Sequence, residues 1–194
     1  MNPLYIALLA LNALIFLDYK FYRVLTYAVV FNMIIAFIGV QSEPMSGLVL
    51  VFFGCILFPV IMWFAIGSCE REERESLLEM TVIAAIALVA IYGFLSMIGI
   101  TEDHALLFTV FAFSLVAIMT SKNLLKYIFI FDAAENTLIL TAYSFFSGNM
   151  VLNIPAVIFI EIATFLPLVL LTYLTVRIYK RYRSLNPWHL WQSP

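Results

Sequence analysis

The stretch KNLLKYIFIFDAAENTLILTAYSFF, residues 122–146, decides what kind of protein this is. It is apolar along most of its length and basic only at its start, yet two acids, Asp132 and Glu135, stand in its middle. At 1.5 Å per residue they lie roughly 15 Å and 20 Å along a helix from Lys122. A hydrocarbon core about 30 Å thick takes about 20 helical residues, so a helix spanning it would hold both acids near mid-depth. The two are spaced i, i+3 and share one helix face, which Asn136 and Thr137 extend into a polar patch.

Apolar runs continue on both sides of this stretch. Spans are predicted at roughly 3–17, 22–40, 47–67, 77–99, 104–120, 122–146 and 154–177, seven in all. Breakers stand at Gln41-Ser42-Glu43-Pro44, Gly99-Ile100-Thr101 and Ser147-Gly148-Asn149. Strands of a membrane barrel would alternate apolar and polar over about 10 residues. These runs are longer and apolar on all sides, so the fold class is an all-α polytopic membrane protein. The whole chain agrees: of 194 residues 64% are hydrophobic and 11% charged, with a net charge of −2. A soluble domain carries about 25% charged residues, so a soluble enzyme, a disordered protein and a nucleic-acid binder are excluded.

The basic residues set the orientation. Lys20 and Arg23 lie in the first linker, Arg71 and Arg74 in the third, Lys122 and Lys126 in the fifth, and Arg177, Lys180, Arg181 and Arg183 at the end of the chain, which accounts for all ten. The alternate connections hold Glu43, Glu102 and Asp103. Short loops rich in Lys and Arg stay on the cytoplasmic side, so the C-terminus is expected to be cytoplasmic and the N-terminus outside. Met1-Asn2-Pro3 has no basic segment or cleavage pattern, and no signal peptide is expected. The run from Glu70 to Glu79 reads as a solvated loop, or alternatively as a docking patch for a peripheral subunit. Trp188 and Trp191 behind the basic exit read as an interfacial anchor. Cys55, Cys69, His104 and His189 form no metal-ligand or redox spacing and read as structural.

A third intramembrane acid, Glu161, lies roughly 24 Å from Arg177 along the last helix. A charge at mid-bilayer costs about 2.5–3.5 kcal/mol on insertion scales, and no basic residue stands at this depth. The acids are then either protonated or matched by water and partners from other subunits. Such groups suit proton or cation transfer. Pro167, six residues past Glu161, removes a backbone donor to Ala163, and Pro59 interrupts the third span likewise. Asn12 and Asn32 read as interhelical hydrogen bonders.

Lys122-Asn123-Leu124-Leu125, followed by Asp132 nine residues after the Asn and by Glu135-Asn136 twelve after it, resembles two related patterns. One is the small three-helix NuoK-type subunit of respiratory complex I, shared by the C subunit of multisubunit cation/proton antiporters. The other is component E of hydrogenase-4-type energy-converting [NiFe] hydrogenases, which places further helices before a NuoK-like triple. Lys20-Phe21-Tyr22-Arg23, Leu57-Phe58-Pro59-Val60-Ile61-Met62 and Arg177-Ile178-Tyr179 are also similar to component E. Where that family often has a Lys, five residues before the third-helix proline, this chain has Gly54, and Glu161 stands two or three residues early for the NuoK-type acid.

The resemblance implies four N-terminal helices over 1–100, a NuoK-like unit over 101–183 and a cytoplasmic or interfacial tail over 184–194. It implies a membrane-arm subunit in a prokaryotic cytoplasmic membrane that couples electron transfer to proton or sodium movement. Asp132, Glu135 and Glu161 would form the translocation path, supported by Lys122, Asn123, Lys126, Asn136 and Pro167. Antiporter-like subunits, other small membrane-arm subunits, a peripheral hydrogenase module and lipid would surround it. The NiFe and iron–sulfur centres would lie in those partners, with no cofactor in this chain and no catalytic residue of its own. The alternatives are a purely structural scaffold of such an arm and an antiporter C-type subunit.

Overall fold

The computed structural model describes residues 2–42, 44–69, 76–146 and 154–187. Among these all regular structure is helical. Helix α1 spans Pro3–Leu17, α2 Phe21–Ser42, α3 Pro44–Leu50, α4 Phe58–Ser68, α5 Leu77–Met97, α6 Glu102–Thr120, α7 Leu124–Phe146 and α8 Ile154–Tyr182. A π-helix, Val51–Leu57, joins α3 to α4 without a break. The helices thus follow the apolar runs. Glu43, the charge run over 70–75 with Arg71 and Arg74, the breaker Ser147-Gly148-Asn149, His189 and the tail tryptophans lie outside the described residues.

Among the described residues, five segments are long and apolar enough to cross a membrane: Phe21–Gln41, Gly47–Ser68, Leu77–Met97, Glu102–Thr120 and Glu161–Tyr182. Helix α1 is apolar but short, and α7 carries Lys126, Asp132 and Glu135 within its length. The exposed surface is strongly apolar, which is compatible with a protein that lies in lipid. Along α5, Leu78, Val82, Ile86, Val89, Phe94 and Met97 are all at least half exposed, a pattern that water would penalise at each residue.

Local signals start and stop the helices. Asn2 accepts from the Leu4 N–H at 3.0 Å, with Pro3 at the first helical position of α1. Ser76 caps α5 through the Glu79 N–H. Asn123 caps α7, its Oδ1 accepting from the Leu125 and Lys126 amides at 3.0 and 3.4 Å. Gly47 lets α3 fold back against α2: a Cβ there would lie 2.5 Å from the Val40 amide nitrogen.

Helices α1 and α2 pack against α6 and α7, so segments on both sides of residue 101 share one core. One end of the bundle gathers cations. There Lys122 meets Glu79 at 3.4 Å, the Lys126 ammonium donates to the Phe16 carbonyl at 2.8 Å, and the Leu124 amide donates to the Leu185 carbonyl at 2.9 Å. At the opposite end the Asn2 amide donates to Asp103 at 2.9 Å.

Candidate functional site

The largely apolar interior of the bundle holds one layer in which a carboxyl group and two side-chain amides meet. Helix α7 contributes Asp132 and Asn136, one turn apart and both buried, and α2 presents Asn32, 2% exposed, against them. Asn32 Nδ2 donates to Asp132 Oδ2 at 2.9 Å and to the Gly54 carbonyl at 3.1 Å. Asn136 Nδ2 donates to Asp132 Oδ1 at 3.2 Å and to Asn32 Oδ1 at 3.1 Å. Each amide nitrogen carries two hydrogens, and each nitrogen here meets two acceptors. The result is a closed ring in which both carboxyl oxygens of Asp132 accept from different helices.

The π-helix makes that ring possible. Its wider turn places Gly54 beside Asn32, where a Cβ would sit 3.2 Å from both Asn32 Cβ and Nδ2. A lysine at this place, which the resemblance led one to expect, would drive into Asn32. The π turn also precedes Pro59, which has no N–H for a normal α bond. The Phe58 amide instead reaches the Phe53 carbonyl in the i→i+5 pattern. The interruption expected at Pro59 thus takes the form of a π segment, Val51–Leu57, just before it. Phe53 packs edge-on against Phe165 of α8, with centroids 5.2 Å apart, and Phe58 packs against Phe129 of α7 at 5.9 Å.

Glu135, one turn on from Asp132, meets α8. The Thr164 side chain hydrogen-bonds its carboxyl, and the same hydroxyl lies 3.2 Å from the Glu161 carbonyl oxygen. A hydroxyl has one proton, so Thr164 serves one acceptor at a time. Glu161 is 3% exposed, near enough to feel the charge of Glu135, and its Oε1 has no hydrogen-bond partner. A buried polar atom left unpaired costs about 1–3 kcal/mol. The three acids thus fall into two groups, Asp132 fully bonded within the chain and Glu135 with Glu161 incompletely so.

The remaining expected residues are more scattered. Lys126 is buried at 1% exposure, close to two turns before Asp132, roughly 9 Å along the helix. Phe129 and Ile130 between them are fully buried. Asn123 is a cap whose Nδ2 has no partner. Lys122 is half exposed at the end of the bundle, away from the polar layer. Pro167 lies within an unbroken α8 and is exposed. Asn32 and Thr164 are the site residues that sequence reasoning undervalued. For Asn32 the signal was depth: it lies roughly 18 Å along α2 from Lys20, close to the depth of Asp132 on α7.

Among the described residues no group of three or more His, Cys, Asp or Glu is placed to hold a metal ion. No protein family, curated protein or solved structure matches the chain.

Proposed function

We propose that the chain is a membrane-arm subunit of a complex-I-like energy-converting hydrogenase, and that its carboxylates take part in proton or sodium transfer coupled to electron flow. The observation that carries this reading is the Glu135–Glu161 pair, a half-buried acid on α7 and a buried one on α8 whose Oε1 is unpaired. Ionisable groups inside a membrane are rare and serve function by default. An unpaired acid oxygen beside a second acid can take up a proton or cation without first breaking a bond. Thr164 reaches both residues and positions Glu135.

In this reading seven helices span the membrane: the five long apolar ones with α1 and α7. The N-terminus is outside and the C-terminus cytoplasmic, since the cations gather at one end. The membrane is the prokaryotic cytoplasmic membrane. Antiporter-like subunits and other small membrane-arm subunits adjoin the chain. The redox centres belong to a peripheral hydrogenase module.

A structural role in the same arm is the second reading, and one observation favours it. Both oxygens of Asp132 are bonded by amides, as a cross-brace between α2 and α7 requires. A C-type subunit of a cation/proton antiporter is a further alternative within the transport class.

The double variant Asp132→Asn with Glu135→Gln separates the readings. Both changes keep size and remove the transferable proton. Ion uptake by membrane vesicles is measured beside electron transfer to a soluble acceptor. Loss of uptake with electron transfer retained supports the relay. An assembled variant that pumps at the normal ratio leaves the structural reading.

A further inference from the structure

A groove runs along the outside of the bundle between α2 and α4, with a volume of about 660 Å³. Thr26, Val30 and Met33 form one wall, and Val60, Trp63 and Phe64 the other. All but Thr26 are apolar. Met33, Trp63 and Phe64 are more than half exposed, so the groove opens to the surroundings of the bundle. The exposed Arg23 precedes Thr26, Val30 and Met33 at helical spacing and lies on the same stripe of α2. It stands one turn beyond the end of the groove, with the exposed Lys20 beside it. Tyr22 and Trp63 close this mouth, their rings edge-to-face at 5.4 Å. Asp18 faces Arg23 at 3.9 Å. Among the described residues two cations therefore stand against one carboxylate at this mouth.

We infer that this groove binds one anionic phospholipid, with its acyl chains between α2 and α4 and its phosphate at Arg23 and Lys20. The order of groups along the groove is that of a lipid along the bilayer normal: cations first, then Tyr and Trp at headgroup level, then an apolar channel. Helix–helix contacts in membranes use small residues that let backbones approach, and of the lining residues only Thr26 is of that kind, the others being Leu, Val, Met, Pro, Trp and Phe. The inference needs only that the bundle lies in a bilayer; it stands whichever redox or antiport complex surrounds the chain.

The test uses the full-length chain purified in mild detergent and titrated with dioleoyl phosphatidylglycerol or dioleoyl phosphatidylcholine, with bound lipid read by native mass spectrometry. Arg23→Gln removes the cation, and Val30→Trp fills the groove from an exposed position. A photoreactive residue at Met33, activated in intact membranes, reports the occupant without relying on purified protein. Expected are retention of the anionic lipid about five-fold above the zwitterionic one, loss of that preference in Arg23→Gln, reduced retention of both lipids in Val30→Trp, and a lipid adduct at Met33. Equal retention of the two lipids by the unaltered chain, retention unchanged in both variants, or a Met33 adduct with another polypeptide overturns the inference.

Discussion

Asn32 and Asp132 stand 100 residues apart in sequence and 2.9 Å apart in the interior of the bundle. The contact joins α2 to α7 at the depth where an unpaired polar group is most costly. Asn32→Leu would leave Asp132 Oδ2 without its donor and the Gly54 carbonyl without its side-chain partner. The expected loss is about 1–3 kcal/mol, seen as a lower thermal midpoint of the detergent-solubilised chain. A double-mutant cycle with Asp132→Asn should show strong coupling between the two positions. Independent effects would mean that the ring does not hold the helices together.

Gly54→Ala should destabilise the chain, because the added Cβ would press on Asn32 at 3.2 Å. Gly67→Ala is the control, since nothing lies within 4 Å of a Cβ there. The two changes add the same methyl group to one helical segment. Equal midpoints for both variants would contradict the close approach of the π turn to α2.

The helices were legible because lipid demands long apolar runs, and those runs had ends marked by Asn2-Pro3, Ser76 and Asn123. The acid patch on α7 was legible because i, i+3 and i, i+4 spacings are properties of one helix. Its partner was not. Whether Asn32 meets Asp132 or Asn136 depends on how α2 is rotated and how deep it sits, and a single span carries no record of its neighbour's rotation. The π turn was hidden for a related reason: Gly54 and Pro59 are compatible with a kink as well as with a wider turn, and packing against Asn32 decides. Thr164 lies one turn past Glu161 on an apolar helix, and only the facing Glu135 gives it a role.

Glu161→Gln and Asp132→Asn should have different consequences. Glu161 has an oxygen without a partner, whereas Asp132 has two donors. Glu161→Gln is expected to reduce ion uptake in vesicles to background while the thermal midpoint stays near the original. Asp132→Asn should lower the midpoint, because an amide nitrogen replaces one acceptor oxygen facing an amide donor. Identical behaviour of the two variants in both measurements would remove the division of the acids into two groups.

Lys126→Met should destabilise and Lys122→Met should not. The Lys126 ammonium is buried against the Phe16 carbonyl, so its loss uncaps the end of α1 and costs about 1–3 kcal/mol. Lys122 meets Glu79 where both side chains are half exposed, and surface pairs of this kind contribute little. Thermal midpoints of the two variants, compared at the same salt concentration, decide the matter.

Cysteine labelling tests the sidedness. Burial pushes the Cys69 thiol up to about 11, with Lys180 pulling weakly the other way. At pH 8 its thiolate fraction should be about 100-fold below that of an ordinary thiol, so native Cys69 stays silent and alkylation rises only as the pH nears 11. Against that background a cysteine at Glu102 should react with an impermeant reagent added outside cells, and one at Arg74 should not. Labelling of Arg74→Cys from outside would reverse the proposed orientation.

The polar contacts of the first two helices set a condition on synthesis. Asn12 bonds to Val110 and Ser114, the Phe16 carbonyl to Lys126, and Asn32 to Asp132 and Asn136, over separations of 98, 102, 110, 100 and 104 residues. A ribosome adding about 5–20 residues per second leaves these groups waiting about 5–20 s for their partners. Asn32 has an interim acceptor in the Gly54 carbonyl, 22 residues on; the bonds from the Asn12 amide nitrogen to the Val110 carbonyl and Ser114 hydroxyl both await α6. During that interval the nascent α1 hairpin is the segment that most needs an insertase or a neighbouring subunit to shelter it, and its final place in the bundle is set only when α6 and α7 arrive.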